Sequence, residues 1–211
     1  CKAIYGGIPS VAEMHRLRYT GGAVEFGMMN AAISQLSHYI EVPNYNSAGI
    51  TEAKTPDIQA VYEKCFAILQ CALSGSNCIH HAAGMLESLL TMSAEQMVID
   101  QEIITMALRA LRGIRVDEEH LAFEAIREAV HGDGYVTLDH TLRHIREEFA
   151  EPALADRNDR DTWLKNGMEQ IGEKARKRAR EILENRESPA PCLSEETDSR
   201  IRNTFNICLD R

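Results

Sequence analysis

The sequence predicts an α/β fold of parallel βαβ units in which helix far outweighs strand. Three observations carry that prediction. Short strand-like segments at Ala3–Tyr5, Val42–Asn46 and Asn77–His81 are each followed by small or turn-forming residues and then by an apolar pattern of helical period. They recur at roughly 35 to 40 residues, the length of a strand, a crossover helix and a return. Beyond them the chain reads as helix up to Asn185. Three strands do not close a (β/α)8 barrel, which takes eight units and roughly 250 residues. The chain is therefore either the C-terminal part of such a barrel or a small α/β layer with a helical extension.

The elements follow in order. Gly6-Gly7-Ile8-Pro9-Ser10 turns the chain out of the first strand, and Ala23–Tyr39 carries apolar residues at 24, 28, 31, 32, 36 and 39. Ser47-Ala48-Gly49 ends the second strand. Thr55-Pro56 then starts a helix over Asp57–Leu73. Ser93-Ala94-Glu95-Gln96 is a capping box for a helix reaching Arg112 and closed by Gly113. Asp117–Val130 is a helix with an acidic start, His131–Gly134 a turn-rich connector, and Asp139–Phe149 a further helix. Asp161–Glu184 is a long, charged, solvent-facing helix. After Asn185 the composition shifts: Ser188-Pro189-Ala190-Pro191 is a linker, and Ser194–Arg211 holds one short amphipathic helix at most. The division expected is residues 1–184 as the main domain with its capping helices, and 185–211 as linker and tail.

Composition sets outer bounds. The 211 residues are 44% hydrophobic and 26% charged, an ordinary globular balance. A net charge of -9 argues against a nucleic-acid backbone as partner. No apolar run approaches the ~20 residues of a membrane span. The start, Cys1-Lys2-Ala3-Ile4-Tyr5, lacks an initiator Met and begins inside a strand, so a piece of a longer chain is expected. The six cysteines form no CxxC pair, and Cys65, Cys71 and Cys78 read as small buried hydrophobes in a reducing, cytoplasmic protein. A homo-oligomer is expected, because strand edges need covering.

The densest chemistry lies in Asn77–Glu87, where His80, His81 and then Glu87 follow a short apolar run. Ends of parallel strands are where such folds do chemistry. The pair could bind a metal, move protons or shape a pocket. Adjacent strand residues point to opposite faces, so only one of the two imidazoles is expected to face a pocket, and no metal is expected here. Glu87 is placed on the first turn of the following helix, where the helix dipole alone could account for it. His140 and His144 are four apart on a helix with Glu147 and Glu148 beyond, but Thr141 stands where a zinc protease would have Glu, so packing and capping are expected. Gly6-Gly7 and Gly21-Gly22 form no phosphate loop, and no serine nucleophile elbow is present.

From Ile4 to Leu183 the chain resembles the trimethylamine:corrinoid methyltransferase superfamily, which also contains glycine betaine methyltransferases. The resemblance rests, in order, on Tyr5–Ser10, Gly22–Phe26, Lys54–Gln59, His80–Ser88, Val98–Ile103 and His140–His144; the tail after Asn185 is not covered. It implies the C-terminal portion of a TIM (β/α)8 barrel. It also implies methyl transfer from a small methylated amine to Co(I) of a separate corrinoid protein, with no cofactor held by this chain. Trimethylamine members carry pyrrolysine in the pocket; aligned within Tyr45–Thr51 it falls at position 50, which is Ile here. A tertiary amine leaves as an anion unless its nitrogen is first made positive, whereas a quaternary ammonium leaves as a neutral amine. Ile50 thus points to a quaternary substrate such as a betaine.

Within that resemblance His80 and His81 are the expected catalytic positions. A quaternary ammonium is best held by aromatic faces. In a chain with one Trp and 6% aromatics, Tyr5 and Tyr45 at strand ends are the candidates, with Asn46 beside Tyr45 and Tyr135 a distant third. Glu25 and Glu87 could neutralise the cation. Two rival readings stand beside this one: a non-catalytic interaction module, and a metal-dependent hydrolase built on His80, His140 and His144.

Overall fold

In the computed structural model, which describes residues 2–132, 134–185 and 193–205, Tyr5 forms a single parallel bridge to Asn44 rather than a strand. An unexpected hairpin follows, with β1 (Ala12–Glu13) antiparallel to β2 (Arg18–Tyr19). Next come α1 (Val24–Tyr39), β3 (Tyr45–Ser47), α2 (Ile58–Leu73) and β4 (Cys78–His80). β3 and β4 pair in parallel, Tyr45 with Cys78 and Ser47 with His80. The predicted βαβ order therefore stands: Tyr5, β3 and β4 lie side by side, with α1 and α2 as crossovers. Asn44 and Asn77 fix the register, each backbone N–H donating to the other's side-chain oxygen at 3.0 and 2.7 Å.

A second small hairpin, β5 (Met85–Leu86) and β6 (Thr91–Met92), follows β4 before α3 (Ala94–Leu111). Glu87 is therefore not on a helix. It opens a 3-10 turn, Glu87–Leu89, between these strands. Ser93 caps α3 as its sequence predicts, accepting from Gln96 N, while Asp57, expected as the first residue of α2, is its cap and accepts from Ala60 N; each such cap is worth about 1 kcal/mol. The helix expected over 117–130 divides at Ala122, whose left-handed φ of 50° separates α4 (Glu118–Leu121) from α5 (Phe123–His131). α6 (Asp139–Glu148) is as predicted. The long helix from Asp161 is also two, α7 (Arg160–Lys165) and α8 (Ile171–Glu184), broken where Gly167 and Met168 take positive φ. α9 (Glu195–Thr204) is the tail helix, capped by Ser194. The chain forms two compact units, Cys1–Ala179 and Arg180–Arg211, so the boundary lies inside α8. The Ser188–Pro191 linker and Cys1, Cys192 and Cys208 lie outside the described residues.

α1 packs on α2 and α2 on α3. The core joins Ala67, Ile68 and Cys71 of α2 to Ile99, Ile103 and Ala107 of α3, with Ala48, Leu154 and Ala175. All of this lies on one side of the parallel layer. Asn46 hydrogen-bonds to α1 and Ile79 packs on the core, while Tyr45 and Cys78 on the other face are exposed. Cys78 is therefore not a buried hydrophobe. The described residues are helix-rich, with small sheets and no closed barrel among them.

Candidate active site at the strand ends

The face of the parallel strands opposite α1 carries the chemistry-bearing side chains, with Tyr45 opening β3 rather than ending a strand as expected, and Ser47 and His80 at the carboxyl ends of β3 and β4. Tyr45 and Ser47 share that face because side chains alternate along β3, and their partners Cys78 and His80 share it through the register. The Tyr45 ring stacks flat on His80, with centroids 4.1 Å apart and planes 7° apart. His81 departs from the expected alternation. It is the first residue beyond β4 and has a φ of 62°, which ends the pleat and swings its ring back beside His80 at 3.9 Å. Both imidazoles therefore stand together on one face, contrary to the expectation of one. Ser47 Oγ, 3.2 Å from His81 Nδ1, orients the exposed ring.

The two imidazoles are both pushed toward their neutral form. Burial holds the His80 imidazole below its ordinary value of 6.5, and repulsion from His81 adds to that; burial lowers His81 likewise. Nδ1 of His80 is buried without a hydrogen-bond partner among the described residues. A tyrosine face and two neutral imidazoles offer π-electron density and no positive charge, which suits a cation freed of its water.

The remaining expected positions lie elsewhere. Tyr5 pairs with Asn44 and so faces α1, where a Cβ on Gly7 would meet the Tyr5 ring at 3.3 Å and Ile33 at 3.0 Å. Asn46 is fully buried on that same side, its amide donating to Asn30 O, Ser34 Oγ and Ser76 Oγ at 2.8, 2.6 and 2.9 Å. Glu25 is exposed on the first turn of α1, and Tyr135 is exposed in the connector before α6. Glu87 accepts from Thr91 Oγ1 at 2.6 Å. Ile50 is buried, and Gly21 lies so close that a Cβ there would sit 2.3 Å from Ile50 Cγ2.

The loops after β3 and β4 hang on a buried ion pair that sequence reasoning missed. Lys64 of α2 and Asp100 of α3 meet at 3.1 Å with both side chains fully buried. Lys64 donates to the carbonyls of Gly49 and Met85, while Asp100 accepts from Gly84 N at 2.7 Å and Gln96 Nε2 at 2.8 Å. Gln96 thus turns to Asp100. Burial pulls the Lys64 ammonium down and pushes the Asp100 carboxyl up, and their mutual attraction opposes both shifts. The available signal was a charge on each apolar stripe, Lys64 among Ala60, Ala67 and Ile68 and Asp100 among Ile99 and Ile103.

Beside these loops the backbone is strained. Glu87, Ser88 and Leu89 have φ of 49°, 52° and 76°, three successive left-handed residues without a glycine; each such residue costs roughly 1–2 kcal/mol. Ser88 N donates to Thr51 O at 2.8 Å, Glu87 N to Ala53 O at 2.9 Å, and Ser88 Oγ to Glu52 Oε1. Gly21 N donates to the same Glu52 oxygen at 2.9 Å, and Glu63 accepts from Thr51 Oγ1 and Glu52 N at 2.6 and 2.8 Å. Such strain concentrates where a fold supports chemistry.

The model of the family described as trimethylamine methyltransferase (MTTB) matches residues 1–206. The chain belongs to that family. The match runs past Asn185, where the resemblance in the sequence ended. The chain is 33% identical over 94% of its length to a glycine betaine methyltransferase of Desulfitobacterium hafniense strain Y51. It is 34% identical over 86% of its length to a trimethylamine methyltransferase MttB of D. hafniense strain DCB-2. A trimethylamine methyltransferase MttB of Methanosarcina barkeri strain Fusaro is also 34% identical, over 87% of the chain. The chain spans 41%, 36% and 37% of the length of these three relatives. No helix among the described residues is long and apolar enough to cross a membrane.

Proposed function

We propose that the protein of which this chain is part moves a methyl group from a quaternary methylated amine, of the glycine betaine kind, to Co(I) of a separate corrinoid protein. In this reading the chain is the C-terminal portion of a (β/α)8 barrel, and its uncovered strand face is part of the barrel's inner wall. One observation carries the reading: Tyr45, which opens β3, stacks on His80 at the carboxyl end of β4, with His81 beside it, on the face of the parallel strands opposite α1. Parallel sheets are ordinarily covered on both faces, and inside a barrel that face meets the other strands. The neutral cluster suits a quaternary cation, and Ile50 at the site of the family's special residue favours the same substrate class.

The transfer balances without a proton. The cobalt electron pair forms the new bond to the methyl carbon, and the C–N bond breaks with its pair going to nitrogen, which leaves as a neutral tertiary amine. Tyr45 meets the cation with its free π face, His80 stacked behind it holds that ring in place, and His81, oriented by Ser47, closes the wall against water. These residues position and desolvate the substrate, and none supplies an acid. The hydrolase reading loses support, because the candidate ligand group containing His140 and His144 is completed by Glu119 and not by His80.

The test is a kinetic split in the full-length protein. Tyr45→Leu and His81→Ala should each raise KM for the quaternary substrate about tenfold, matching roughly 1.4 kcal/mol of lost cation binding, with kcat nearly kept. A fall confined to kcat at unchanged KM would contradict a positioning role.

A further inference from the structure

We propose that Glu119, His140 and His144 form a divalent transition-metal site, fitted to zinc, that ties α4 to α6. His140 and His144 are four residues apart on α6, so both rings lie on one face of the helix, 4.5 Å apart between centroids. α4 supplies the third group: Glu119 Oε1 lies 3.2 Å from His144 Nε2, and its carbonyl oxygen accepts from His140 Nε2 at 2.9 Å. One ligand atom from each residue lies within 4.8 Å of the others. A tetrahedral zinc holds nitrogen and oxygen ligands at about 2.1 Å, hence about 3.4 Å from one another. Small side-chain rotations close the difference, with the metal replacing the Nε2 protons.

The donor set and its surroundings fit this ion. Two imidazoles and one carboxylate suit zinc. Arg143 donates to Glu119 Oε1 at 3.0 Å and holds the carboxylate toward the histidines. His144 and Arg143 keep that carboxyl below its usual range, so it is ionised as a ligand must be. Glu119 and His140 line a cavity of about 550 Å³ that also receives Glu118 and Asp139, leaving room for a water as fourth ligand. His120 adds a further imidazole beside His144, at 5.1 Å between ring centroids. Its Nδ1 lies 2.6 Å from Asp117 Oδ1. Its Nε2 is buried without a hydrogen-bond partner among the described residues, with Glu148 Oε1 4.0 Å away.

The fold gives a metal something to do. α4 and α6 have no buried residue between them. Short helices without a buried face hold poorly by packing alone, and a metal bound only in the folded state adds its binding free energy to stability. The role is structural, apart from the strand-end histidines.

The test uses untagged full-length protein, stripped with chelator and then dialysed against zinc. We expect one zinc per chain by elemental analysis after desalting, a zinc-dependent rise in melting temperature, and a tetrahedral absorption band when Co(II) replaces zinc. His140→Ala with His144→Ala should abolish retention, and Glu119→Gln should weaken it at least tenfold. His131→Ala, on α5, should retain zinc fully. If the alanine variants fail to fold by circular dichroism, His144→Asn with Glu119→Gln decides. Zinc retained equally by wild type and the folded ligand variants, or by neither, would overturn the site.

Discussion

The two histidine pairs of this chain lie in opposite electrostatic settings. His80 and His81 end a strand, share a face with Tyr45 and have no carboxylate among their hydrogen-bond partners, and burial pushes them toward their neutral form. His140 and His144 ride a helix against Glu119, with Asp117 and His120 beside them. In the proposed function the first setting accepts a cation that carries its own charge and cannot be coordinated. The second offers a carboxylate and two nitrogens to a cation that must be. The support differs in kind as well. The strand-end loops rest on the fully buried Lys64–Asp100 pair and the core between α2 and α3, whereas α4 and α6 meet through polar contacts at the surface. Residue type alone does not assign a histidine; the partners the fold places around it do.

The largest effect separates the two supports. Asp100→Ala leaves the Lys64 ammonium buried and unpaired and should destabilise the main unit by about 3–5 kcal/mol, read as a lower denaturant midpoint. The double change Lys64→Met with Asp100→Leu should recover most of that loss, since a buried ion pair is often replaceable by apolar groups of similar size. If Asp100→Ala alone costs nothing measurable, the strand-end loops are held by something other than this pair. Next in size is the zinc-dependent melting rise, which should vanish in His144→Asn without any change in KM for the methylated amine.

The smallest effect is a pH dependence peculiar to the strand-end pair. The folded-state values of His80 and His81 lie below 6.5. Their contribution to stability is thus complete above 6.5 and is lost as pH falls through the lowered values. Cation binding follows the same sign: KM should stay flat through neutrality and rise only on the acid side of 6.5. A KM that rises on going from pH 6 to 8 would contradict neutral imidazoles.

Much of this was legible in the sequence. Periodicity located α1, α2, α3 and α6, with Pro56 and Ser93 marking two of the starts, but the apolar Val24, Met28, Leu36 and Tyr39 that signal α1 are exposed, and its buried face is Phe26, Asn30, Ser34 and Ser37. The breaks at Ala122 and Met168 were not legible, since neither residue type signals a left-handed backbone. The same blindness hid the turn at Glu87–Leu89 and moved Glu87 off a helix. At His81, strand alternation gave the wrong face because the strand ends one residue earlier than the pattern suggests. His80 was readable as a strand-end residue, whereas Tyr45, expected at the end of a strand over Val42–Asn46, opens β3, and their stacking depends on a register set by Asn44 and Asn77, 33 residues apart. Lys64 and Asp100 were visible only as charges out of place on apolar stripes.

The most direct measurement mixes the full-length protein with cob(I)alamin and, in parallel, a quaternary betaine and a tertiary methylamine, and follows the cobalt spectrum. The account predicts conversion to methylcobalamin with the quaternary substrate, together with the demethylated tertiary amine in equal amount, and little or none with the tertiary one. No conversion with any methylated amine, or conversion with the tertiary amine alone, would contradict it.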